Sequence, residues 1–241
     1  MTEIKICGIT RLEDAAHAAA SGADALGFIF YRKSPRGISP AAAAAIIAHL
    51  PARVCKVGVF VNEEAAVIRE TAATCGLDML QLHGDESPAY CRGIADRNLL
   101  IKALPLTTAA DLHRAALYPV TAILVDARDD DRYGGTGKSA SWELAARLGK
   151  TGRLILAGGL NGENIHAALR TVRPRAVDIN SGVETAPGVK DPAKVAEIIR
   201  LIREEDELKN GESRDAIFLC RNGPFSSPGK GEAGRRMSQQ L

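Results

Sequence analysis

The sequence is poor in aromatic residues. They make up 4% of the 241 positions, so any core must be aliphatic, and the 46% hydrophobic content is enough to build one. Net charge is equally scarce. A formal +2 gives no basic surface of the kind that holds nucleic acid or an anionic membrane. Long hydrophobic runs are missing too. The most apolar stretch, "AAAAAIIAHL" ahead of Pro51, is about half the length needed to cross a bilayer. The start, "MTEIKICG", shows no basic segment leading into an apolar one, so no secretory signal and a cytoplasmic location are expected. The five cysteines, at 7, 55, 75, 91 and 220, are odd in number and never spaced C-x-x-C. That pattern argues against a disulfide framework or a zinc site and for free thiols in a reducing compartment. The expected partner is a small molecule, with no metal, nucleic acid or membrane.

What the sequence does have is alternation. Short β-rich runs stand at 5–9, 25–30, 56–60, 79–83, 99–104, 121–126, 154–158 and 176–181. Most are nearly unbroken apolar stretches, as strands covered on both faces should be. Helical segments lie between them. Ser39 and Pro40 form an N-cap and first-turn pair, and Pro51 stops that helix. Asn62 is the expected cap of "EEAAVIRETAATCG", which ends on Gly76. Asp191 and Pro192 open the last helix. Eight strands with eight helices exceed the five or six of an open doubly wound sheet. They match a closed (β/α)8 barrel, an α/β fold, over residues 1–203. The remainder, 204–241, is mixed in charge and rich in Gly, Ser and Pro, so it is expected to be a disordered C-terminal extension. Within it only "AIFLC" (216–220) is suited to packing.

In such barrels the active site gathers at the strand C-termini. The strand ends here carry Cys7, "YRKSPRG", "FVN", "LHGD", "LPL", "VDARDDD", "AGGL" and "NSGVE". The last two are rich in glycine and hydroxyls and follow adjacent strands, a frequent place for a phosphate. Gly158, Gly159, Ser181 and Gly182 are therefore phosphate-cradle candidates, although each turn alone needs no ligand to explain it. Asp126 ends a buried strand either as a loop cap or as a catalytic carboxyl. Arg36 can grip a carboxylate through two parallel hydrogen bonds or stand as a solvated loop charge. His83 is either a satisfied polar residue beneath its loop or a substrate contact, and Asp178, inside strand eight, joins the substrate-binding candidates. Cys7 is a small core residue or a presented thiol. "GGTGKS" (134–139) is not a nucleotide-binding P-loop, because Arg132 stands where the first glycine belongs. It reads instead as a glycine-hinged loop six, with Thr136 as a possible hydroxyl contact.

Eight segments in order resemble the phosphoribosylanthranilate isomerase family: "KICGIT", "GADALGFIFYRKSPRGIS", "KVGVFVN", "LQLHGDE", "ILVDA", "YGGTGKSASW", "LAGGLNGENI" and "AVDINSGVETAPGVKD". The resemblance spans residues 3 to about 203 and implies a (β/α)8 barrel. It implies an aldose–ketose isomerase of tryptophan biosynthesis, acting on a phosphosugar without a cofactor, as monomer or homodimer. The reaction is the Amadori rearrangement of N-(5-phosphoribosyl)anthranilate to 1-(2-carboxyphenylamino)-1-deoxyribulose 5-phosphate. By resemblance Cys7 is the base, Asp126 the acid, Arg36 the holder of the anthranilate carboxylate, and the turns after strands seven and eight the phosphate site. The base would be helped by a lowered thiol pKa, through helix N-termini or Arg36. The acid would be helped by burial or neighbouring negative charge.

Three rivals are weaker. A histidine-pathway isomerase places aspartate where Cys7 stands and wants a second phosphate site, yet "VFVN" has no glycine pair. Indole-3-glycerol phosphate synthase relies on lysine and glutamate at strand ends, and Lys102 lies before its strand end with no obvious partner. A phosphosugar-binding barrel without activity needs neither Cys7 nor Asp126.

Overall fold

The computed structural model describes residues 1–94, 99–126, 140–208, 216–218 and 220. Eight parallel strands close into a barrel in chain order: β1 Glu3–Ile6, β2 Ala25–Ile29, β3 Cys55–Phe60, β4 Met79–Leu82, β5 Leu100–Leu104, β6 Ala122–Asp126, β7 Leu154–Ala157 and β8 Ala176–Ile179. Each lies within two residues of its expected position, except that β1 ends at Ile6, three residues early. The helices between and after them are α1 Leu12–Ser21, α2 Pro40–Ile47, α3 Ala65–Cys75, α4 Pro88–Ile94, α5 Ala109–Ala116, α6 Ala140–Gly149, α7 Ile165–Val172 and α8 Pro192–Leu208. Among the described residues no helix is long and apolar enough to cross a membrane.

Alternation along the strands divides the core into two layers. Ile4 and Ile6 of β1, Leu80 and Leu82 of β4, and Val177 and Ile179 of β8 face the helices, in one cluster with Ala15, Ala18, Leu169 and Ile198. Ala25, Val57, Met79, Ile101, Leu124 and Ile155 point into the barrel. The barrel interior is thus a packed aliphatic core, and its upper layer is polar: Lys5, Gln81 and Lys102 are all wholly buried.

Helix ends follow their local chemistry with one exception. The Ser39 hydroxyl accepts from the Ala42 N–H (3.3 Å), and Gly76 closes α3 in the left-handed region at φ 64°. Asp191 accepts from the N–H groups of Ala193 (2.9 Å) and Lys194 (3.2 Å) at the start of α8. Asn62 does not cap α3, whose N-cap is Glu64. Asn62 itself adopts φ 50°, its N–H donates to Glu86 (2.9 Å), and its amide oxygen accepts from the Asp85 N–H (2.6 Å). The neighbouring β4–α4 loop thus takes the group that the helix was expected to use.

Two features extend the fold beyond expectation. An antiparallel pair, β9 Glu184–Ala186 and β10 Val189–Lys190, sits between β8 and α8. The C-terminal boundary also moves: α8 runs through 203 to Leu208. Ile217 and Phe218 are buried in the interior cluster with Cys55 and Ala25. Their N–H groups donate to the Glu3 carboxylate, at 2.7 and 3.2 Å. Glu3, Ala25 and Cys55 begin their strands, so this segment covers the end of the barrel opposite the strand C-termini. None of the five cysteines is in a disulfide. Loop six, with Thr136, and the rest of the extension lie outside the described residues.

The buried Phe218 gives a direct test. Phe218→Ala should lower stability by about 1–3 kcal/mol, less than a central core aromatic because ordering the extension offsets part of the burial. Activity should be retained, since the strand C-termini lie at the other end. Urea melts of the variant and the parent check this; coincident midpoints would show that the segment does not cover the barrel.

Candidate active site

Nine residues singled out in the sequence line one cavity of about 510 Å³ at the C-terminal ends of the strands: Cys7, Arg36, His83, Asp126, Gly158, Gly159, Asp178, Ser181 and Gly182. Barrel closure brings them together. Cys7 follows β1 directly, and its N–H donates to the Ile179 carbonyl of β8 at 2.8 Å. Asp126 ends β6, three strands away round the ring. It is exposed at that end, so burial, one of the two aids expected for an acid, is not supplied there.

Cys7 is 4% exposed. Its thiol is pushed up, not down: burial raises it most, the Asp178 carboxylate adds to this, and Lys5 and Lys190 pull the other way. The expected lowering by helix N-termini or Arg36 is therefore not what the site provides. Beneath the thiol lies an ion pair between the Lys5 Nζ and Asp178 Oδ1 at 2.8 Å. Asp178, expected as a substrate contact, thus also serves the chain itself.

Arg36 is likewise engaged. Its Nε lies 2.9 and 3.0 Å from the two Glu184 oxygens, and one terminal nitrogen is 2.6 Å from Oε2. Glu184 also accepts from the Gly188 N–H (3.1 Å) and the Lys190 ammonium (2.9 Å). The β9–β10 hairpin thereby buttresses the arginine, whose guanidinium has five N–H donors to share between Glu184 and the cavity.

His83 meets Gln81: the Gln81 Nε2 lies 2.8 Å from the His83 Nδ1. With the amide donating, Nδ1 accepts and the ring proton sits on Nε2. The imidazole is held below its ordinary value, so it is neutral at pH 7. Loss of hydration is the main cause; Asp178 opposes it most, Lys5 and Lys102 add to the lowering, and Asp126 opposes it. The Gln81 Oε1 is buried with no hydrogen-bond partner among the described residues.

At the phosphate-cradle candidates two glycines after β7 take left-handed backbone, Gly158 at φ 99° and Gly159 at φ 63°. The Gly159 carbonyl is held by the side-chain amides of Asn164 (3.0 Å) and Asn161 (3.3 Å). After β8, Ser181–Val183 forms a single 3-10 turn. A Cβ on Gly182 would overlap the Leu160 carbonyl, whereas one on Gly159 would enter open space.

Lys102 has more partners than the sequence indicated. Its ammonium donates to the carbonyls of Gly84 (2.7 Å), Ala103 (2.7 Å) and Leu82 (3.1 Å) and pairs with Glu86 at 3.0 Å. Neither Lys102 nor Glu86 lines the cavity.

Sequence reasoning missed Gln81, Asn180, Glu184, Lys190 and Lys5. For Lys5 the signal was present: a charge alternating with isoleucines in a buried strand must face the barrel interior.

Residues 4–200 match the family model of N-(5'phosphoribosyl)anthranilate (PRA) isomerase. The N-(5'-phosphoribosyl)anthranilate isomerase of Syntrophus aciditrophicus is 50% identical over 224 residues, covering 90% of this chain and 97% of that relative. The crystal structure of phosphoribosyl anthranilate isomerase from Thermotoga maritima superposes with a TM-score of 0.77 at 46% identity, over 85% of this chain and all of that one. A structure of such an isomerase in complex with reduced 1-(o-carboxyphenylamino)-1-deoxyribulose 5-phosphate superposes with a TM-score of 0.75 at 44% identity, over the same shares.

The two glycine turns should respond differently to a methyl group. Gly159→Ala carries only the left-handed backbone strain, about 1–2 kcal/mol. Gly182→Ala carries no such strain but clashes with backbone, and should cost at least ~2 kcal/mol more. Chemical denaturation of both variants decides; equal losses would show that the turn after β8 yields freely.

Proposed function

This chain belongs to the N-(5'-phosphoribosyl)anthranilate isomerase family, and from that premise we propose that it carries out the Amadori rearrangement by general acid–base catalysis at Cys7 and Asp126. As a member it is an isomerase of tryptophan biosynthesis. The observation that carries the mechanism is the placement of one thiol and one carboxyl on the wall of a single cavity, three strands apart round the barrel.

In this mechanism Asp126 protonates the furanose ring oxygen as the C1–O bond breaks. The anthranilate nitrogen supplies the electron pair for the new C=N bond. The cationic Schiff base makes the C2 hydrogen acidic, and Cys7 as thiolate removes it, giving an enolamine that tautomerises to the ketone. Nothing is oxidised or reduced overall, and no cofactor is called for. Arg36, steadied by Glu184, is the group for the anthranilate carboxylate. The neutral His83 offers an Nε2–H donor. The backbone after β7 and the 3-10 turn at Ser181 are suited to the 5-phosphate.

The direct experiment follows loss of substrate fluorescence when purified protein meets freshly prepared phosphoribosylanthranilate. Cys7→Ser should cut kcat by roughly 10²–10⁴-fold, the usual contribution of a general base, with little change in affinity for a reduced product analogue. Near-parental turnover in that variant would remove Cys7 from the mechanism.

Asp126→Asn separates an enzyme from a barrel that only binds. The amide keeps size and hydrogen bonding but cannot deliver a proton to the ring oxygen. Turnover should be lost while the product analogue still binds. In the parent, kcat/KM should be bell-shaped with pH, one limb from the thiol and one from the carboxyl. The residual activity of the variant should lack the carboxyl limb. An active Asn variant would exclude Asp126 as the acid.

A further inference from the structure

Lys5 is not part of the cavity wall, yet its ammonium lies directly behind the proposed base. It is 0% exposed, bonded to Asp178 at 2.8 Å, and near enough to the Cys7 thiol for each to act on the other. Both atoms occupy the space left by a glycine on the next strand. A Cβ on Gly27 would stand 2.7 Å from the Cys7 Sγ and 3.0 Å from the Lys5 Nζ. The strand therefore leaves room for a thiol and an ammonium side by side, on Lys5 of β1 and on Cys7 two residues later, just past its end.

We propose that Lys5 is a positioning residue for the reaction: its buried ammonium is the counter-charge that allows Cys7 to exist as a thiolate, and Asp178 holds that ammonium in place. This rests on the reading of Cys7 as the base.

The charges around Cys7 leave this task to Lys5. Among the described residues Arg36, from the β2–α2 loop, and Lys190, from β10, are the other cations that face the thiol, and both are bound to Glu184. The Lys190 ammonium also holds Asn180, through its side-chain oxygen (2.9 Å) and its carbonyl (3.3 Å). Asp178, from β8, is the carboxylate that disfavours the thiolate. A thiolate formed here without Lys5 would sit buried beside that carboxylate, an arrangement that low dielectric penalises heavily. Lys5 also stays charged: burial lowers its pKa, but Asp178 and Cys7 together raise it above the ordinary value.

The readout is the pH dependence of Cys7 alkylation by iodoacetamide in the intact protein, followed at that residue by peptide mass spectrometry, because only the thiolate reacts. Lys5→Met should move the midpoint to higher pH, with the thiolate fraction at neutral pH falling about tenfold for each unit moved. Turnover should fall in parallel at kcat, with KM little changed, since Lys5 does not line the cavity. Asp178→Asn should move the midpoint the other way, because it removes the opposing carboxylate and leaves the ammonium. A purely structural pair would not give opposite shifts. If Lys5→Met fails to fold, Asp178→Asn decides alone: a downward shift supports the proposal, and an unmoved or raised midpoint overturns it. Unmoved midpoints in two folded variants overturn it as well. Opposite shifts in a protein that does not turn over phosphoribosylanthranilate would instead retain the counter-charge and dismiss the isomerase reading.

Discussion

A fully buried ammonium is tolerable only where opposite charge and hydrogen bonds surround it. Lys5 meets that condition across the seam where the barrel closes, since the β1–β8 register sets it opposite Asp178. A slip of one residue would turn Lys5 toward the helices and drive an isoleucine inward. The pair therefore fixes the closing register, and that register fixes where the chain leaves each strand. Cys7 emerges two residues beyond Lys5, and Ser181 three beyond Asp178. Buried ion pairs of this kind bring little net stability compared with apolar residues of the same size. Their value here lies in placing a thiol and a glycine-serine turn beside each other on one wall.

The polar layer at the top of the barrel has two halves with different tasks. Round β3, β4 and β5, Lys102 is saturated by three carbonyls and Glu86, and Glu86 in turn accepts from the N–H groups of Asn62 and Gly84. This half is closed on itself and away from the cavity, so Lys102 has no place in a lyase-like mechanism. Round β8, β1 and β2, the pairs Lys5–Asp178 and Arg36–Glu184–Lys190 surround Cys7 and open toward the cavity. The first half organises loops, and the second sets the electrostatics of the site. His83 stands between them, with both lysines acting on its ring.

How much of this the sequence disclosed depends on the range of the interaction concerned. Strand number and order were legible because apolar runs and helix caps are local signals, and the nine site residues were legible because strand ends fix which side chains reach the mouth. Pairings across the barrel were not. Nothing near Arg36 in sequence points to Glu184, 148 residues away, and nothing near Asn62 points to the loop that claims it. The β9–β10 hairpin is too short for periodicity to reveal. In the extension, composition reports only the average of a segment; it singled out 216–220 as suited to packing but not where Ile217 and Phe218 would pack, a slot that only the closed barrel creates.

The direction of the thiol shift bears on the chemistry itself. A base that must take a proton from carbon gains driving force as its own pKa rises, but its active form becomes rarer. A strongly lowered thiol would be abundant as thiolate and weak as a base. Burial together with Asp178 pushes the Cys7 thiol up, and Lys5 pulls the other way. Substrate binding should tilt this balance further. In the proposed mechanism the cationic Schiff base would form beside the thiol only after Asp126 had opened the ring, so positive charge would arrive at the moment when the thiolate is needed. In the proposed mechanism, burial and Asp178 on one side and Lys5 on the other would give a base that is largely protonated at rest and becomes competent as the substrate turns cationic.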